Sequence, residues 1–160
     1  VFGINEGEIW QGELRWGLFA LVGGYPVDLR QVVTLLANAS TLLAEYDAAE
    51  WERLGVTTHG AFAILSRNGR EVARDRLFLP YFKEMKWPEA QVTVRRVGNQ
   101  AIFESATFAW RVCLDLDGEL ALPDNFFDVL PGIPTILEWP TELPEPKVLR
   151  VGNLVARPAA

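Results

Sequence analysis

The sequence predicts an all-β protein built from antiparallel β-sandwiches. Three observations carry this. Apolar residues alternate with polar ones at a period of two over Gly12 to Leu21, an Asn68-Gly69 dipeptide separates two strand-like runs, and short strand signals recur along the chain without long helical stretches between them.

The elements follow in order. Val1, Phe2 and Ile4 read as a strand already in progress, ending at Asn5-Glu6. From Gly12 to Leu21, Leu14, Trp16, Leu18 and Ala20 fall on one face with Glu13, Arg15 and Gly17 opposite, the pattern of a half-buried strand. The Gly23-Gly24-Tyr25-Pro26 cluster breaks that run, extended structure resumes at Gln31 to Leu35, and Asn38-Ala39-Ser40 supplies turn chemistry. Asp47 stands where a helix N-cap belongs, with Ala48 to Leu54 making a turn or two before Gly55. Thr58 to Ser66 and Arg70 to Leu79 flank Asn68-Gly69, whose residues suit the positive backbone angles of a type I′ hairpin.

Pro80 to Pro88 interrupts the strand rhythm, which places a domain boundary there and gives domains 1–88 and 89–153 followed by a tail at 154–160. Downstream, Gln91 to Val97, Ala101 to Glu104, Phe108 to Leu116 and Ile133 to Trp139 read as strands, with Gly98-Asn99 and Asp117-Gly118 as turns. Trp110, Val112, Leu114 and Leu116 point one way and Arg111, Cys113 and Asp115 the other. Pro140, Pro144 and Pro146 keep the next segment out of a central ladder, and Lys147 to Val151 reads as a closing strand.

Composition narrows the chemistry. At 160 residues the chain holds one ordinary domain or two small sandwiches, and 49% hydrophobic with 22% charged residues is the composition of a folded protein. Fifteen Lys and Arg against 21 Asp and Glu leave a net charge of −6, which repels phosphate backbones and anionic lipid, so neither nucleic acid nor membrane is an expected partner. One cysteine, Cys113, cannot form an internal disulfide, and one histidine, His59, cannot supply a two-histidine metal site, so neither cofactor nor metal is expected. Apolar stretches are broken by charge well before about 18 residues. A first residue of Val1 rather than Met suggests a piece of a longer polypeptide, whose compartment is then unreadable.

Candidate chemical groups each have a plainer role. Asn5-Glu6 could present a carboxylate as in sugar-cleaving barrels, but the chain has no barrel to hold a second one, and a strand-end turn suffices. Asp115-Leu116-Asp117-Gly118-Glu119 resembles part of a calcium loop without the spacing of its remaining oxygens, and reads as a hairpin turn. His59 reads as structural or superficial, and Cys113 as a small apolar residue in a strand. Asn38-Ala39-Ser40 also matches a glycosylation sequon. Six tryptophans invite sugar stacking. Trp16 and Trp110 fit core positions, whereas Trp51, Trp87 and Trp139, with Trp10, are less clearly inside. Trp51, Trp87 and Trp139 are therefore the candidates for carbohydrate or interdomain contact.

The segment Leu120-Ala121-Leu122-Pro123-Asp124-Asn125-Phe126-Phe127-Asp128-Val129-Leu130-Pro131-Gly132 resembles the C-terminal sandwich domain of β-mannosidase-like enzymes of glycoside hydrolase family 2, departing mainly in having Pro123 where a serine is frequent. The similarity is specific at 120–132 and looser through Val1 to Asn5, Gly12 to Leu21, Ala37 to Ser40, Asp47 with its helix and Phe78-Leu79-Pro80. It implies the last two immunoglobulin-like domains of a modular exo-glycosidase, an O-glycosyl hydrolase of carbohydrate metabolism. The catalytic glutamates of such an enzyme sit in a separate barrel, so no catalytic residue is carried over. The implied partners are that barrel and the N-terminal domains of the same polypeptide, the alternative being a carbohydrate-binding module that grips an oligosaccharide with exposed Trp residues. In the motif, of which Asp128 is also a member, Asp124 and Asn125 are expected to bond backbone donors in the turn, Phe126 and Phe127 to point to opposite faces, and Pro131-Gly132 to set the returning bend.

Overall fold

A computed structural model describes residues 1–153; the tail at 154–160 lies outside the described residues. The described chain is all-β, with eleven strands and a single short α-helix, and its strand pairs are antiparallel. Its described residues separate into two compact units, one made of Val1–Phe19 and Tyr25–Met85, the other of Ala20–Gly24 and residues 86–153.

The first unit holds β1 (Phe2–Asn5), β2 (Trp10–Ala20), β3 (Val27–Leu35), β4 (Ala39–Leu42), α1 (Ala48–Leu54), β5 (His59–Arg67) and β6 (Arg70–Leu77). Four of the strands form a sheet in the order β3-β2-β5-β6, and β1 pairs with β4 to form a second layer. Between the layers Leu14, Val33 and Ala44 are buried, with Leu43, Ala63 and Leu65 packed against them. Gly3 faces Leu35 and Leu43 so closely that a Cβ would collide with both, which lets β1 lie directly on the sheet. The predicted hairpin is present: Arg67 pairs with Arg70, and Asn68 and Gly69 have φ of 52° and 73°. Asp47 accepts the Ala49 N–H at 2.9 Å, and the Gly55 N–H closes α1 on the Trp51 and Glu52 carbonyls.

Two expectations in this unit are corrected. β3 starts at Val27 rather than Gln31, because Asp28 and Arg30, charged and therefore unlike a strand, reach across the hairpin to Arg15 and Glu13. Ala39 and Ser40 belong to β4, opposite Asn5 and Ile4; the turn is at Ala37-Asn38, where Asn38 takes φ 48°.

The second unit holds β7 (Thr93–Val97), β8 (Gln100–Glu104), β9 (Ala109–Val112), β10 (Phe127–Val129) and β11 (Thr135–Glu138). One layer has the order β11-β8-β7 and the other pairs β10 with β9. Ala101 and Phe103 from the first layer bury against Ala109, Val112, Leu114, Phe127, Val129 and Trp139, so this unit too is a sandwich with its core between layers. Val97 pairs with Gln100 around Gly98-Asn99, as the turn signal predicted.

Here the predicted strand Phe108 to Leu116 is too long. The ladder stops at Val112, and Val112, Cys113, Leu114 and Asp115 are all buried while Leu116 is 62% exposed, so the period-two alternation fails beyond Val112. Its physical cause is the side-chain bonding described below, which replaces ladder pairing. Lys147 to Val151 is likewise not a strand. It meets the segment just after β9 through one bridge, Cys113 to Arg150, and beyond it the Gly152 N–H donates to the Trp110 carbonyl of β9 at 2.7 Å.

Candidate functional site

The motif at 124–132 sits on β10 and the turn after it, and its polar residues hold backbone groups that the strands leave unpaired. Arg111 has φ 48° inside β9, and the register slips there, so two residues of β9 stand opposite Asp128. The Asp128 carboxylate accepts the Arg111 N–H at 2.9 Å, satisfying the donor that the bulge removes from the ladder. Asn125 imitates a peptide unit one step further along: its Oδ1 accepts the Leu114 N–H at 2.9 Å and its Nδ2 donates to the Asp115 carbonyl at 2.6 Å. Asp124 accepts the Asn125 N–H at 2.7 Å.

Of the aromatic pair, Phe127 is the inward member, 9% exposed and edge-on to Phe103 at 4.9 Å, and Phe126 is 50% exposed with φ 65°. Pro131 and Gly132 form the centre of a turn closed by the Ile133 N–H on the Leu130 carbonyl at 3.1 Å. Gly132 has φ 65°, which a residue with a Cβ adopts at a cost, and its N–H reaches the Ser105 carbonyl at 2.8 Å.

Asp115 anchors the loop beside this motif. Its carboxylate accepts N–H groups from Leu120 at 2.8 Å, Asp117 at 3.1 Å and Gly118 at 3.2 Å. These bonds, that of Leu120 foremost, hold its carboxyl below the ordinary 3.8. The Asp115 oxygens are thus turned on their own loop, and the described residues hold no group of three or more His, Cys, Asp or Glu able to share a metal ion.

The remaining candidates are engaged in the same way. Asn5 donates to the Glu8 and Leu36 carbonyls at 2.7 and 3.1 Å and accepts the Gly7 N–H, a strand-end turn. His59 Nδ1 lies 3.0 Å from Thr58 Oγ1 and from the Gly55 carbonyl. Cys113 is buried, with its Sγ 3.5 Å from the Asp115 carbonyl.

The tryptophans reverse their expected ranking. Trp51, Trp87 and Trp139, the candidates for contact, are 5%, 7% and 2% exposed, and Trp16 and Trp110, placed in the core by alternation, are only half-buried. Trp51 Nε1 donates to the His59 carbonyl at 3.3 Å, Trp139 Nε1 donates to the Pro144 carbonyl at 2.9 Å, and Trp87 stacks on Trp110 at 5.4 Å. Stacking on a sugar requires an open indole face, and these three side chains have theirs covered. The connections that hold Trp51 and Trp87, which read as surface, carry these side chains inward because a large apolar ring gains most from burial.

Two features escaped the sequence reading. Arg15 makes a two-pronged ion pair with Asp28, 2.8 Å at each prong, and lies over the Tyr25 and Phe62 rings at 5.1 and 5.7 Å. Burial pushes the Tyr25 hydroxyl up to about 12. Opposite charges at positions 15 and 28 were a signal, visible once the hairpin register is known. The second feature is a groove of ≈ 400 Å³ in the first unit, lined by β1, β5 and β6. It had no sequence signal, because a groove is what strands fail to cover.

No family model and no curated protein matches the chain. Among solved structures, the crystal structure of Beta-D-Mannosidase from Dictyoglomus thermophilum is similar, with a TM-score of 0.80 and 19% identity over 95% of this chain and 20% of that one. The chain therefore spans about a fifth of that enzyme's length, and at this identity the likeness is one of fold.

Proposed function

We propose that this chain is a pair of non-catalytic, immunoglobulin-like accessory domains, 1–88 and 89–153, of a β-mannosidase-like glycoside hydrolase, acting as scaffold beside a catalytic barrel carried elsewhere in the polypeptide. The observation that carries this reading is the fold shared with a fifth of a β-D-mannosidase across nearly the whole of the present chain. Two further observations support it. The 124–132 motif is occupied with architecture, since Asn125 and Asp128 bond backbone groups of the neighbouring segment and Pro131-Gly132 makes a turn. In addition, the antiparallel layering of β3-β2-β5-β6 against β1-β4, with two hairpins and a cross-over around one core, supports the immunoglobulin-like reading.

Glycoside cleavage needs two carboxyl groups facing one another across a sugar, about 5 to 9 Å apart. The carboxylates of Asp115, Asp124 and Asp128 accept backbone N–H groups instead. The purified 160-residue chain is therefore expected to release no p-nitrophenol from p-nitrophenyl β-mannoside at any pH between 4 and 8. Turnover that survives repurification, and is lost on changing a carboxylate of this chain, would overturn the reading.

A further inference from the structure

The second layer of the first unit is too narrow for the sheet beneath it. β1 and β4 lie over β2 and β3, but β5 is covered only in part, where Ala63 and Leu65 pack against the core, and β6 is bare on that side. The pairing of Ala61 with Leu77, Ala63 with Asp75 and Leu65 with Ala73 puts these six residues on one face. On β6 the three of them are exposed, and on β5 the three are only half-buried, although Phe62 and Ile64 on the opposite face are buried. A sheet face that carries Ala61, Ala63 and Leu65 on β5 and forms the floor of a ≈ 400 Å³ groove is a core face only partly covered.

The wall of this groove is the outer edge of β1. The Leu43 N–H donates to the Val1 carbonyl at 2.9 Å, and the antiparallel alternation then turns Val1, Gly3 and Asn5 toward β4 and the backbone groups of Phe2 and Ile4 outward, along the groove. Sheet edges in folded proteins are normally blunted by charge, proline or a bulge. β1 reads Phe-Gly-Ile-Asn and has none of these. Its edge is thus a template for one more strand, lying over β5 and β6 with alternate apolar side chains pointing at Ala63, Leu65 and Ala73.

We propose that this slot is filled by a β-strand formed by the residues directly upstream of Val1 in the longer polypeptide, folding back through a tight turn to pair antiparallel with Phe2 and Ile4. The proposal rests on the reading that such a polypeptide exists. Val1 itself lines the groove, so a chain arriving at Val1 begins at the slot, and a hairpin connection of about 2 to 5 residues places a strand beside β1. A strand from a second copy would need no such connection, but would have to bring its own equally open edge, leaving β5 and β6 covered only where the two copies overlap.

The test compares the 160-residue chain with the same chain extended by about 15 residues of its own upstream coding sequence, a length that fits one turn and one strand. Hydrogen exchange is read at the Phe2 and Ile4 amides, and melting temperature is read for Ala73→Lys in both lengths. The expected result is amide exchange slowed about 100-fold or more in the extended chain alone, with Ala73→Lys tolerated in the short chain and destabilising in the long one. Equal exchange in both lengths, with Ala73→Lys neutral in both, overturns the proposal while leaving the multidomain reading intact. Protection in the short chain that grows with protein concentration overturns it in favour of a second copy. A reading frame that opens at Val1 fails the multidomain reading itself, a result separable from the others by sequencing alone.

Discussion

Asn125 shows how much of this structure is settled by single side chains. It satisfies a donor and an acceptor of the segment at Leu114-Asp115, where the β9 ladder has ended. Asn125→Ala is expected to cost about 1 to 3 kcal/mol in urea unfolding, because both backbone groups are left unsatisfied in a part-buried place. Phe127→Ala is expected to cost about 3 to 5 kcal/mol, and Phe126→Ala no more than about 0.5, since one ring is in the core and the other half in solvent. Equal melting temperatures for the two variants would contradict this assignment. Asp115 and Asp28 titrate below the ordinary 3.8, Asp115 through backbone N–H bonds and Asp28 through Arg15. A carboxyl held low in the folded state contributes stability that is full above its unfolded value and is lost as pH falls through the folded one. The urea midpoint is therefore expected to hold steady down to about pH 4 and to fall below it, and Asp115→Asn should flatten that fall.

At the scale of elements, turns were more legible than strand ends. Asn68-Gly69, Gly98-Asn99 and the Asp47 cap are set by local backbone preference and occur where the residues place them. Gly69→Ala is expected to destabilise by about 1 kcal/mol, and since a Cβ at Gly69 meets nothing within 4 Å, the whole cost is its φ of 73°. A melting temperature unchanged by this substitution would refute the type I′ geometry. Strand ends depend on partners. β3 extends to Val27 because charged residues find opposite charges across the hairpin, and β9 stops at Val112 because Asn125 and Asp128, from a segment more than ten residues away, take over its backbone groups. Alternation along Phe108 to Leu116 carries no record of that exchange.

For the whole molecule, the sugar-binding alternative predicts retardation on mannan gels that a Trp→Ala change abolishes. With Trp51, Trp87 and Trp139 buried, the expected outcome is no retardation, and retardation lost in Trp10→Ala or Trp110→Ala would reinstate that function on a different face. What the sequence by itself determined is the all-β class, the antiparallel hairpins and the turns, because each depends on neighbours in the chain: alternation and turn residues. Only the tertiary structure decided which tryptophans are covered, that Asp115 is closed on its own loop, and that one face of β6 lies open beside a groove lined by β1. Those outcomes depend on which distant segment arrives at a surface, and burial is a property of that meeting rather than of the residue.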